Sequence, residues 1–261
     1  MSELRKYFNE NLNRNSIDKW DHYFEIYEFW FNKYKNRPIV LLEIGIFQGG
    51  SLNMWREYFG DQAKIYAIDI NPLCKQFETD NTKIFIGSQS DREFLKHVKS
   101  QIPKVDILID DGGHMMDQQK ITFEELYGHV KIDGLYLCED LHTSYWDAYD
   151  GGYKKAGSFI EYSKDFIDKL NAWHLNDTKI KVDQFTRTTY SLHYYDSILL
   201  IEKKEINEPF SYRKGKIVVP IASFPAPRKK GFHLHPLKLL KKVLKPFRRG
   251  LRFLFKQFKH S

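Results

Sequence analysis

The chain has 261 residues, 42% of them hydrophobic and 16% aromatic, with two cysteines and a net charge of +7. That length and composition suit one large α/β core with additions, and cysteines as far apart as Cys74 and Cys138 make no disulfide framework. No run of about 18 apolar residues occurs, so no membrane-spanning helix is expected; the polar start from Met1 to Lys6 is not read as a signal peptide, and the cytoplasm is the expected compartment.

Between residues 16 and 35, Trp20, Tyr23, Phe24, Tyr27, Phe31 and Tyr34 recur at steps of three and four. That spacing predicts an amphipathic helix with an aromatic face, ended by Asn36-Arg37-Pro38. Most of this face should be core; packing is also the expectation for His22 and Tyr23, with contact to a substrate the alternative. Ile39 to Ile44 reads as a first strand. It runs into Gly45-Ile46-Phe47-Gln48-Gly49-Gly50-Ser51 and then a helix through Trp55 and Tyr58. Strand, glycine turn and helix open a doubly wound sheet, and glycines let backbone approach a ligand closely. The spacing is G-x-x-x-G, not the dinucleotide G-x-G-x-x-G.

Ala63 to Asp69 is the second predicted strand. Asp69, about 20 residues past the glycine turn, suits ribose hydroxyls; alternatively it caps the turn before Asn71-Pro72. The third strand, Lys83 to Gly87, leads to Ser88-Gln89-Ser90-Asp91, near where an adenine would sit. Ser90 or Asp91 would equally cap a helix from Arg92 to Ser100.

Val105 to Ile109 is a buried strand that stops at Asp110-Asp111-Gly112-Gly113-His114. A helix from about Asp117 to His129 and a turn at 131–134 precede a fifth strand, Leu135 to Cys138. That strand ends in Glu139-Asp140-Leu141-His142-Thr143-Ser144-Tyr145-Trp146. Open α/β sheets bind ligands past the carboxyl ends of their strands, so two strands here deliver four carboxylates and two imidazoles to one edge. Adjacent carboxylates also serve as caps or ion-pair partners, and His142 is expected to be structural. Tyr145 and Trp146 either stack on a sugar ring or anchor the loop. The glycine- and tyrosine-rich stretch 150–157 reads as a mobile loop over the site. Phe159 to Ala172 is predicted helical, and Ser191 to Glu202 supplies one or two closing strands.

This ordered set resembles the class I S-adenosylmethionine-dependent methyltransferases. The carriers are Leu42-Glu43-Ile44-Gly45, Gly49-Gly50-Ser51, Ile68-Asp69, Asp110-Asp111-Gly112-Gly113-His114 and Glu139-Asp140-Leu141-His142-Thr143-Ser144-Tyr145. More narrowly, the last two resemble the metal-dependent sugar O-methyltransferases of macrolide and surface-glycan pathways, a cephalosporin-hydroxylase-like group. The resemblance spans about residues 18–203. It implies a Rossmann-like, mostly parallel sheet of seven strands with an antiparallel last strand. It implies S-adenosylmethionine at Glu43, Gly45, Gly49, Ser51, Asp69, Gln89, Asp91 and Asp110. A divalent metal would sit at Asp111, Glu139 and Asp140, with His114 as general base and a sugar or glycan hydroxyl as acceptor. All-oxygen ligation favours Mg²⁺. A cation lowers the pKa of a coordinated oxygen, and a histidine near pKa about 6.5 suits the proton.

Of the 41 Lys and Arg, twelve fall in residues 228–261, which hold none of the 34 Asp and Glu. The body is therefore about −5 and the tail +12. Leu237, Leu240, Leu244, Phe247, Leu251, Leu254 and Phe258 recur at three and four, interleaved with the cations and interrupted by Pro246. This predicts a basic amphipathic helix, or two, suited to an anionic membrane surface. Nucleic acid is the rival partner, and docking on the body is a third option. Expected divisions are a helical segment at 1–37, a methyltransferase domain at 38–205, a linker at 206–227 and the tail at 228–261. The tail would place the protein on the inner face of the membrane, and a homo-oligomer stays open. Two other readings compete: a non-catalytic peripheral membrane scaffold, and a nucleic-acid methyltransferase, which would lack the usual N/D-P-P-Y signature.

Overall fold

The computed structural model describes residues 2–175 and 179–223. Residues 1–210 form one compact unit, and 211–223 are the described part of a second. The predicted tail helix lies outside the described residues.

Seven strands form one sheet: β1 Val40–Ile44, β2 Lys64–Asp69, β3 Thr82–Ile86, β4 Val105–Asp110, β5 Val130–Cys138, β6 Thr189–Tyr195 and β7 Ile198–Lys203. Their order is β3-β2-β1-β4-β5-β7-β6. The first five are parallel, and β7 runs antiparallel to both β5 and β6. The expected antiparallel closing strand is therefore present, and the 191–202 stretch is two strands. Strand order reverses between β1 and β4, which opens a crevice at their carboxyl ends.

Side chains alternate faces along a strand, and the core divides accordingly. Leu41, Ile65, Ile107, Ile109, Leu135 and Leu137 meet the first three helices: α1 Glu3–Asn9, α2 Tyr23–Phe31 and α3 Gly50–Phe59. Leu42, Ile44, Leu108, Tyr136 and Cys138 face the other way. They pack against α4 Arg92–Gln101, α5 Met116–Leu126 and α6 Phe159–Leu170, with α7 Gln184–Thr188 beyond.

Three expectations change. The aromatic helix begins at Tyr23, not near residue 16; residues 11–22 form a strap without regular structure. Tertiary contacts override the periodicity there, because Lys19 is drawn into the sheet edge and Arg5 holds Asp21. The expected turn at 131–134 is absorbed into β5. Between the pairs Val105–Val130 and Ile107–Leu135, β4 advances two residues and β5 five, so the extra residues bulge out, with Asp133 at φ 65°. The 150–157 stretch does not line the cleft, and its start is tied back to the preceding turn. The Gly151 and Gly152 N–H groups donate to Trp146 O and Ser144 O at 3.0 and 2.8 Å.

Candidate active site

Strand alternation places the charges. Glu43 in β1, Asp111 just past β4 and Glu139 just past β5 follow the parity of Leu41, Ile109 and Leu137, so all three face α2 and the strap. Asp110 has the opposite parity. It is buried against α5, where Gln89 Nε2 donates to its Oδ1 at 3.0 Å and lies 3.0 Å from Thr122 Oγ1. Burial raises the Asp110 carboxyl to about 7.

The strap supplies a cation to the acidic face. Lys19 Nζ pairs with Asp111 Oδ2 and lies 2.8 Å from Glu139 Oε2, and its side chain is 2% exposed. Burial opposes that ammonium, but Asp111, Glu139 and Glu43 outweigh it, and its pKa lies above the ordinary value. The carboxyls are held high by the same burial, Asp111 to about 7 and Glu139 to about 8, against the lowering effect of Lys19. Helix α2 adds two hydroxyls one turn apart. Tyr27 donates to Glu139 Oε1 at 2.7 Å and Tyr23 to Asp140 Oδ1 at 2.8 Å. The aromatic face is thus core on its apolar side and a hydroxyl rack at the sheet edge. Sequence reasoning missed Lys19 and Tyr27; the four-residue spacing of Tyr23 and Tyr27 was the available signal.

His114 and Asp140 are both held in the left-handed region at φ 57°, as are several turn residues such as Asn36 and Ser197. His114 Nε2 lies 3.3 Å from Asp140 Oδ2 and 3.9 Å from Asp111 Oδ1. Its buried Nδ1 has no hydrogen-bond partner. Burial lowers the imidazole pKa and Asp140 partly offsets this, so His114 is neutral near pH 7. Donor atoms of Asp111, His114 and Asp140 converge within 4.8 Å; Glu139 instead faces Lys19 and Tyr27. Two hard carboxylates at the cleft, with a third one Lys19 removed, suit a divalent cation.

These residues line a cleft of about 640 Å³, within the usual range of small-molecule pockets. Gly45, Ser51, Asp69, Gln89, Asp111, His114, Glu139 and Asp140 all line it. Asp69 Oδ2 accepts from the N–H of Ile46 and Phe47 at 2.9 and 3.2 Å, so it shapes the glycine turn. Four expected cofactor residues do not line the cleft. Glu43 is buried and accepts from Ser51 Oγ and Trp55 Nε1 at 2.9 and 3.0 Å. Gly49 sits at φ 73°, capping α3 against Phe77. Asp91 caps α4 through the N–H of Glu93 and Phe94, and Asp110 is on the far face. His142 is bracketed by the Trp20 and Trp146 rings, 5.3 and 4.6 Å away, with Nδ1 3.0 Å from Ser197 Oγ. Tyr145 and Trp146 are half exposed. His22 lies 3.0 Å from Asp196 O and is outside the cleft lining.

No family model matches the chain. It is 31% identical over 202 residues to the 8-demethyl-8-alpha-L-rhamnosyl tetracenomycin-C 2'-O-methyltransferase of Streptomyces olivaceus, covering 73% of this chain and 53% of that protein. It is 32% identical over 209 residues to the demethylmacrocin O-methyltransferase of Streptomyces fradiae, covering 75% and 52%. The chain is related to the S-adenosylmethionine-dependent macrolide sugar O-methyltransferases. It spans about half the length of these curated relatives. Within that family, the solved MycE methyltransferase of the mycinamycin pathway superposes with a TM-score of 0.70 at 27% identity, over 78% of this chain and 54% of that one. That structure is a complex with Mg, SAH and mycinamycin VI.

Proposed function

We propose that this chain transfers a methyl group from S-adenosylmethionine to a sugar hydroxyl, assisted by a divalent cation, Mg²⁺ first. The observation that carries the reading is the convergence of Asp111, His114 and Asp140 in a cleft of about 640 Å³ that Gly45, Ser51, Asp69 and Gln89 also line. Its support from outside is the kinship with sugar O-methyltransferases and the Mg and SAH bound by MycE. Gly45, Ser51, Asp69 and Gln89 would cradle the cofactor. Asp111 and Asp140 would hold the cation, joined by Glu139 once Lys19 withdraws. Imidazole is a poor ligand for so hard an ion, which leaves His114 for the proton.

When bound, the cation would acidify and orient the acceptor hydroxyl. His114 Nε2, neutral because it is buried, accepts the proton. Asp140, 3.3 Å away, then stabilises the imidazolium. Tyr23 fixes the Asp140 carboxylate by its hydrogen bond. Positioning of the acceptor oxygen in line with the methyl group carries much of the rate.

The acceptor is a glycosylated small molecule or a surface glycan, and Tyr145 and Trp146, half exposed beside the edge, would stack on its ring. The basic tail would hold the enzyme at the inner face of an anionic membrane, which favours a lipid-linked glycan. Among the described residues no helix is long and apolar enough to cross a membrane. The test is transfer of labelled methyl from S-adenosylmethionine to glycosylated metabolites and to extracted cell glycans. Label in neither, with calorimetry showing no binding of S-adenosylhomocysteine, would leave the scaffold reading in its place.

A further inference from the structure

Five residues of the strap 11–22 line the cleft: Ser16, Ile17, Asp18, Lys19 and Trp20. The strap's ends are fastened by exposed ion pairs, Arg14 with Glu57 at 2.8 Å and Arg5 with Asp21. Such pairs hold weakly. Its middle is held by Lys19, whose ammonium lies between Asp111 and Glu139 on the acidic face. We propose that Lys19 is an exchangeable counter-cation: it holds Asp111 and Glu139 together in the protein without a divalent ion, and it leaves when one binds, loosening the strap.

The inference rests on the reading that this edge takes a divalent cation. Three observations carry it. First, Asp111 is shared: its Oδ2 accepts from Lys19 while its Oδ1 belongs to the converging set with His114 and Asp140. A hard cation wants several oxygens, and those of Asp111 and Glu139 are the ones the ammonium occupies. Second, Lys19 and a divalent ion carry like charge, and two cations cannot share buried carboxylates a few ångströms apart without strong repulsion. Third, lysine is a point charge on a flexible stem and residues 18–20 belong to no helix or strand, so the ammonium can swing away while residues 15–17 stay packed against Gly50 of α3. Removing Lys19 without a replacement would leave buried carboxylates facing one another, which explains why a cation is needed in either state.

The consequence is competition: a site whose open state is about a tenth populated binds about tenfold more weakly than the open state itself. The experiment is a titration of the full chain with Mn²⁺, followed by electron paramagnetic resonance, after removal of divalent ions with EDTA. Lys19→Met should bind Mn²⁺ about tenfold or more tightly than wild type. Equal or weaker binding by the variant would overturn the exchange while leaving the metal reading standing. Absence of Mn²⁺ binding in both proteins would remove the metal reading and the exchange with it. If Lys19→Met does not fold, hydrogen exchange of wild type decides. Faster exchange at residues 18–20 with saturating Mg²⁺ supports the proposal, and unchanged exchange overturns it.

Discussion

Asp111 and His114 sit three residues apart on one turn, and the proposed mechanism gives them separable duties, so their substitutions should differ in kind. Asp111→Asn should weaken divalent-ion binding, so added Mg²⁺ partly restores turnover. His114→Ala should leave metal and cofactor binding near normal and lower turnover by roughly 10²–10⁴-fold, the usual loss of a general base. Near-wild-type turnover of His114→Ala, with chemistry rate-limiting, would end that assignment; full activity in excess EDTA would end the metal role. Tyr27 makes a second, independent test. Its hydroxyl donates to a fully buried Glu139, and leaving a buried acceptor without its donor costs about 1–3 kcal/mol. Tyr27→Phe should therefore lose about that much stability in urea unfolding, and an unchanged midpoint would mean Glu139 does not depend on Tyr27. Residue identity at this edge was legible from adjacency alone, since Asp111, His114, Glu139 and Asp140 all reach it. Their grouping was not. Which oxygens face Lys19 and which face His114 depends on a strap far away in sequence, and no local pattern encodes that meeting.

At the scale of elements, strands and their glycine turns were readable because period-2 burial and turn chemistry are local. Gly45 shows how tightly such a turn is built: it sits at φ 81°, and a Cβ there would lie 2.1 Å from Asp111 O. Gly45→Ala should destabilise the fold by at least about 1–3 kcal/mol and disturb Asp111 with it. A full-strength cofactor titration and unchanged melting temperature in that variant would contradict the close contact. The start of α2 was not readable, because an aromatic period through Trp20 cannot report that Lys19 is pulled out of helical geometry. At the other end of the sheet, β7 closes on a buried lysine. Lys203 Nζ donates to Tyr127 O at 2.9 Å and lies over its ring. Burial, with help from Lys104, lowers its pKa from 10.5 to about 8. The sign follows from proton counts. Between about pH 8 and 10.5 the unfolded chain holds a proton that the folded chain has released, so stability rises with pH there. Wild type should gain on Lys203→Met by up to about 3 kcal/mol across that window. Parallel stability curves for the two proteins would show that Lys203 titrates normally.

For the whole molecule, the dominant feature is charge separation. The body near −5 is continued by a tail of +12. A body of that sign is repelled by anionic lipid, so any attraction must come from the tail. Each Lys or Arg close to an anionic surface contributes about 1 kcal/mol, and the Leu and Phe positions between them add apolar burial. Electrostatic attraction is screened over about 8 Å at physiological salt. Binding to vesicles rich in anionic lipid should therefore weaken as salt rises, and it should vanish on deleting residues 228–261. The same deletion should leave S-adenosylhomocysteine binding intact, because every described residue lining the cleft lies between Ser16 and Asp140. Sedimentation of the truncated protein with vesicles would move the anchor to the body. Equal binding of the full chain to neutral and anionic vesicles would show that the charge asymmetry does not govern attachment. Loss of cofactor affinity on truncation would tie the tail to the cleft instead of to lipid.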